Sequence, residues 1–176
     1  MTINKLAKTF RQAIEKARDA GEFQNDTSFY HFPRGCCGDT CYLLAEYLSE
    51  NEIRSYYMEM NRDGCSHAWI AIDDGNIKFP KTIPYELPNE IQPVINSYSA
   101  GKYPARGSYI KYEMNDFSNA TIVDITADQF SDFNDAVYVG KMGLFQNSFE
   151  FCDAHLIEGM ASDRLDGLYK KIIKYL

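Results

Sequence analysis

Three residues of the 176-residue chain have the types and the order that thiol chemistry needs: Cys37, His67 and Asp124. A thiol attacks as its thiolate. The start of a helix lowers the free pKa of about 8.5, because unpaired N–H groups and the helix dipole favour the anion. An imidazole beside the sulfur completes an ion pair and later protonates a leaving amine, while a carboxylate on its second nitrogen fixes the tautomer. Gly35 and Gly38 flank the cysteine pair. Lacking Cβ atoms, they let backbone and substrate approach closely, as an oxyanion hole using the Cys37 N–H requires. Cys36 is the rival nucleophile, and Cys41 reads as core. Asp128 and Gln129 are the alternative orienters of the ring should Asp124 point away. Trp69 reads as packing and His155 as structural. Each of the three leading residues also has a plainer reading: a small buried hydrophobe for Cys37, a core histidine for His67 and a strand-end turn residue for Asp124.

The elements that must position these groups follow from periodicity. Leu6, Ala7, Phe10, Ala13, Ile14 and Ala17 recur at helical spacing before Gly21, and Cys37, Cys41, Leu44 and Leu48 form one stripe of a second helix starting close to Cys37. Residues 22–35 read as a loop. Strands are expected at Ile53 to Met60 and Ser66 to Ile72, joined by Asp63-Gly64, with His67, Trp69 and Ala71 on one side of the second. Asp74-Gly75 is a hairpin signal leading to Ile77–Phe79, so the middle of the chain reads as an antiparallel meander. The β-branched run Thr121 to Thr126 predicts a further strand, Ala136 to Val139 a short one, and Leu165, Leu168, Tyr169, Ile172 and Ile173 a last helix. His67 and Asp124 lie on strands expected to be adjacent in a sheet that packs against the Cys37 helix, and adjacent strands are only about 4.8 Å apart, within side-chain reach. Five of the six prolines fall between Pro80 and Pro104. Residues 80–119 therefore read as an irregular insertion within a single domain spanning 1–176, and its Pro/Gly content, Tyr residues and the pair Lys102 and Arg106 make it the expected lid or substrate-selecting flap.

Composition narrows the functions. Hydrophobic residues make up 45% of the chain and aromatic residues 14%, which suits a packed core and not a disordered or collagen-like chain. With 18 Lys+Arg against 25 Asp+Glu the net charge is −7, a poor basis for phosphate-backbone binding, so nucleic acid is not an expected partner. No run approaches the roughly 18 apolar residues of a membrane span, and the charged N-terminus lacks an apolar leader, so a soluble, cytoplasmic protein is expected. A role as an exported effector fits the same features. Five Cys, three of them crowded at 36, 37 and 41, suit reduced thiols better than a disulfide framework. A zinc module built from Cys36, Cys37, Cys41, Cys65 and His67 is the competing reading; its spacing departs from paired C-x₂₋₄-C ligands, so no metal and no cofactor is expected.

The blocks GCCGDTCYLLAEYL, SHAWIAI and TIVDITADQF resemble the Cys, HAW and VD(I/V)T blocks of transglutaminase-like and papain-like thiol enzymes. The resemblance implies an α+β fold with N-terminal helices packed on an antiparallel β-sheet, the cysteine opening a helix and the histidine and aspartate coming from neighbouring strands. Carried over, these are Cys37, His67 and Asp124. Papain-like enzymes also place a polar side chain shortly before the cysteine to bind the oxyanion, and His31 is the candidate for that place, although it also reads as an ordinary loop histidine. The implied activity is amide hydrolysis through a thioester acyl-enzyme, by a peptidase or protein deamidase acting on a protein or peptide; resolution by an amine makes it a transferase or transglutaminase. A catalytically silent relative that binds peptide in the groove is the remaining alternative.

Overall fold

The computed structural model describes residues 2–75, 77 and 112–176, together with the backbone of 81–85 and 107–111. Helix α1 spans Ile3–Asp19, opened by Thr2, whose hydroxyl accepts from the Lys5 N–H at 3.3 Å. It buries the stripe Leu6, Ala7, Phe10, Ala13, Ile14 and Ala17. Beyond it Gly21 takes φ +81°, the left-handed conformation that ends helices at little cost for glycine. Helix α2 spans Cys37–Ser49 and buries Thr40, Cys41, Leu43, Leu44 and Leu48. Helix α3, Asp163–Ile172, is capped by Ser162 and carries Asp163 and Asp166 in its first turn and Lys170 and Lys171 in its last, each charge matched to the dipole.

The strands are β1 (Ser55–Arg62), β2 (Cys65–Ile72), β3 (Lys81–Tyr85), β4 (Gly107–Lys111), β5 (Thr121–Asp124), β6 (Tyr138–Gly140) and β7 (Glu150–Leu156). Five of them form an antiparallel sheet in the order β6-β5-β2-β1-β7, so the fold is α+β. Asp63 and Gly64, both at positive φ (54° and 80°), close the β1–β2 hairpin as the sequence predicts, a conformation matched to the twist of the strands it joins. Of the strand expected at Ile77–Phe79 all but Ile77 lies outside the described residues; the position beside β2 belongs to β5, in the register Ile70↔Val123 and Ile72↔Thr121. Strand β5 stops at Asp124, short of the expected Thr126, because the Asp124 carboxylate takes the Thr126 N–H and turns the chain. β7 was not expected. Most of its residues are exposed, as an edge strand with one weakly covered face permits.

The stretch 80–119 is partly regular: β3 and β4 pair as a separate two-stranded sheet, Pro84 opposite Ser108. Lys102, Arg106 and most of the expected flap lie outside the described residues.

Both faces of the five-stranded sheet are covered. Ala68, Ile70, Ile72 and Val123 pack under the three helices. Met58, Met60, Trp69, Ala71 and Ile122 pack under Phe117, Ala120 and Phe149. Six consecutive residues of β2 are buried as a result, and the central strand behaves like one from an α/β sheet. No helix is long and apolar enough to cross a membrane among the described residues.

One charge lies inside the α1 stripe. Arg11 is 5% exposed and makes a two-pronged ion pair with Asp128 (2.8 Å on each prong), bonds Glu15, and donates to the carbonyl oxygens of Ile125 (2.6 Å) and Ala136 (3.0 Å). Its guanidinium also lies 4.8 Å from the Phe32 ring centroid. The loop that follows β5 is thus fastened to α1. Arg11→Leu strips these bonds and leaves Asp128 and two carbonyls unpaired, and should lower the unfolding free energy by about 3 kcal/mol in urea denaturation.

Candidate active site

The α2 helix begins at Cys37, with the first helical bond running from the Thr40 N–H to the Cys36 carbonyl at 2.8 Å. Cys36 is therefore the cap, and its side chain points into the interior. There Sγ accepts from the Thr40 hydroxyl (3.7 Å) and donates to the Pro33 carbonyl (3.5 Å), and burial pushes the thiol up to about 12. Cys41, one turn on, is fully enclosed and is likewise pushed far up by burial. Cys37 differs from both. Burial alone would raise its thiol, but the hydrogen bond and charge of His67, with the backbone N–H groups of Ala68 and Gly38, outweigh that penalty and hold it below the ordinary range. All five cysteines are free thiols.

His67 and Asp124 meet behind the sulfur. Nε2 of His67 lies 2.7 Å from Oδ2 of Asp124, and both side chains are wholly shielded from solvent. The other carboxylate oxygen accepts from the Thr126 N–H (2.8 Å) and hydroxyl (3.2 Å), so Asp124 is held by its own strand end while it holds the ring. Burial would lower the imidazole pKa, but the charge and hydrogen bond of Asp124, followed by those of Cys37, raise it to about 9. With Nε2 engaged, Nδ1 is the nitrogen free to serve Cys37. The amide nitrogen of Gln129, itself on the Thr126 carbonyl at 3.0 Å, reaches Nδ1 at 3.1 Å. Gln129 thus touches the ring on the side opposite Asp124 and does not replace it, while Asp128 is occupied by Arg11. Three aromatic rings, Trp69, Phe130 and Phe149, surround the imidazole at centroid distances of 5.0–5.6 Å and keep water from the pair.

In front of the sulfur a cleft of about 250 Å³ opens, lined by Gly35, Cys37, Gly38, Tyr57, Glu59 and His67 among others. Gly35 takes φ +71°, the conformation that brings the chain to the helix start. Gly38 is at ordinary φ but faces Tyr57: a methyl placed on it would sit 3.2 Å from the phenol oxygen. His31 is exposed, edge-on to Tyr30, and does not line the cleft. Trp69 is core. His155, on the unexpected β7, stacks on Tyr57 and bonds the Tyr42 hydroxyl at 2.9 Å. Among the described residues no three His, Cys, Asp or Glu side chains are grouped to hold a metal ion, so the zinc-module constellation is not assembled.

Sequence reasoning passed over Arg11, Thr126, Tyr57 and the aromatic wall of Phe130 and Phe149. Arg11 had a readable signal, a charge within an apolar helical stripe. Thr126 had a local one, the Asp-x-Thr spacing that lets a carboxylate take the N–H two residues on; Tyr57, Phe130 and Phe149 had none, since each acts through neighbours that only the tertiary structure supplies.

No protein-family model matches the chain, and searches of curated proteins and of solved structures give no match. The geometry alone carries the functional reading.

Alkylation by iodoacetamide at pH 7 should fall on Cys37 before Cys36, Cys41, Cys65 and Cys152, as read by peptide mapping. At pH 6.5 His67→Ala should slow that alkylation at least about tenfold by removing the groups that offset the burial of the thiol. Because the imidazolium is lost as pH rises through about 9, the advantage of the wild type should narrow through that pH.

Proposed function

We propose that the protein is a thiol amide hydrolase, a peptidase or protein deamidase of the papain-like/transglutaminase-like kind, working through Cys37, His67 and Asp124. The observation that carries the reading is the combination of a lowered thiol at a helix start with an imidazole whose far nitrogen is held at 2.7 Å by a wholly buried carboxylate. A merely structural cysteine has no need of either neighbour, and Cys36 and Cys41 have neither. The antiparallel sheet with a helix opening on the cysteine is consistent with that superfamily's architecture.

In the proposed reaction the Cys37 thiolate adds to the carbonyl carbon of the amide, and the carbonyl electron pair moves to oxygen, facing the Cys37 N–H. The imidazolium gives its Nδ1 proton to the amide nitrogen, the C–N bond breaks, and a thioester remains. The neutral ring, held by Asp124 at Nε2, then takes a proton at Nδ1 from water as the water adds to the thioester carbonyl, and the C–S bond breaks to release the acid and the Cys37 thiolate. Asp124 orients the ring and stabilises its charged form without taking the proton itself. The open cleft gives water ready access, which favours hydrolysis over transfer to an amine. Free thiols throughout suit a reducing compartment such as the cytoplasm.

Incubation with a mixture of peptides, followed by mass spectrometry and an ammonia assay, reads the reaction directly. New amino termini identify a peptidase, released ammonia without cleavage a deamidase, and incorporation of an added amine a transferase. Cys37→Ala should abolish every product with the fold intact, and Asp124→Asn should lower the rate by about three to four orders of magnitude. Product formation that survives Cys37→Ala overturns the reading.

A further inference from the structure

Acyl transfer to Cys37 needs more than one donor for the oxygen that becomes negative, and the Cys37 N–H is only one. The cleft contains few alternatives. His31 lies off it, Gln129 is engaged at His67 Nδ1 and on the Thr126 carbonyl, and Asp39 and Glu59 are carboxylates that would repel an oxyanion. Two hydroxyls remain, Ser66 and Tyr57, and Tyr57 is the one that stands against the residue after the nucleophile. It stands on β1, on the same lip as the helix start, and its hydroxyl makes no hydrogen bond among the described residues.

Its position is set by two neighbouring rings. The phenol packs against Tyr42 (centroids 5.5 Å, 27°) and His155 (4.9 Å, 22°), which also touch each other (6.1 Å) and share a 2.9 Å hydrogen bond, so the three rings form one triangular cluster. At its tip the hydroxyl approaches the residue after the nucleophile so closely that only glycine leaves ordinary room: the missing Cβ of Gly38 would lie 3.2 Å from Oη. The hydroxyl is thus held over the first turn of α2 with no hydrogen-bond partner among the described residues.

We propose that the Tyr57 hydroxyl is the side-chain donor of the oxyanion hole, sharing with the Cys37 N–H the carbonyl oxygen of the substrate. This rests on the acyl-transfer reading of Cys37. Burial keeps the phenol's pKa well above its ordinary value, so the group stays protonated and donates throughout the working range of the thiolate. The role is confined to steps in which a carbonyl becomes tetrahedral.

Two small electrophiles separate that role from general activation of the thiol. p-Nitrophenyl acetate acylates Cys37 through a tetrahedral oxyanion: the C–S bond forms, the bond to the aryl oxygen breaks, and p-nitrophenolate leaves with the electron pair. Iodoacetamide alkylates by displacement of iodide and creates no oxyanion. In Tyr57→Phe, which keeps the stacked ring, acylation of Cys37 should fall roughly 100-fold while alkylation stays within about twofold of wild type. Loss of both in parallel assigns Tyr57 to thiol activation or to packing and overturns the proposal. Retention of both overturns it as well. If wild-type Cys37 is acylated no faster than glutathione at the same pH, the acyl-transfer reading itself falls and the proposal with it; acceleration over glutathione that Tyr57→Phe retains removes the proposal alone. Cys37→Ala, carrying the other four thiols, supplies the blank for both reagents.

Discussion

The site depends on a hydrogen bond made in the dry: Nε2 of His67 to Oδ2 of Asp124, with neither side chain reaching solvent. A carboxylate taken out of water is expensive unless every lone pair has a partner. The chain meets that demand locally, by folding Thr126 back onto the free carboxylate oxygen, and remotely, by anchoring the following loop to α1 through Arg11. The aromatic wall around the imidazole has a double effect. It excludes water that would screen the pair, and it makes loss of the ion-pair partner more damaging than the same loss at a surface.

That arrangement explains why the sheet is covered on both faces. If β2 faced water on the side of Trp69, His67 and Asp124 would be solvated and the thiol would lose much of its electrostatic support. The layer of Met58, Met60, Phe117 and Phe149 closes that side, while the helices close the other. Arg62 joins the outer layer to β1: its guanidinium lies 4.5–5.2 Å from the centroids of Phe130, Phe145 and Phe149, and it pairs with Asp132 through two bonds. Two arginines thus fasten the segment after Asp124, one from each face of the sheet.

How much of this was legible in the sequence depends on the range of the interaction. Helices α1, α2 and α3 and the β1–β2 hairpin could be read because their signals are local: an apolar stripe, a terminal glycine, the Asp63-Gly64 turn. The helix start at Cys37 and the strand setting of His67 and Asp124 belong to the same class. That their two strands are neighbours was expected and is found, in a register that only tertiary packing sets. β7 escaped because an edge strand needs little apolar alternation. Tyr57 escaped because its meaning lies in a glycine of another element, and His155 because its partners, Tyr42 and Tyr57, come from α2 and β1. The different settings of Cys36 and Cys37 follow from that same helix boundary, the cap turned into the interior and the first helical residue placed beside the imidazole.

The three groups that meet at the sulfur come from α2, β2 and β5, and the last joins only when residues near 123 pair with residues near 70. Such a long-range closure carries a larger entropic cost than the β1–β2 hairpin and belongs to the slower class of folding contacts. Until it forms, residue 37 is an ordinary thiol among five. In the newly made polypeptide residue 37 therefore lacks both companions, and its thiol departs from the other four only once the tertiary structure is complete.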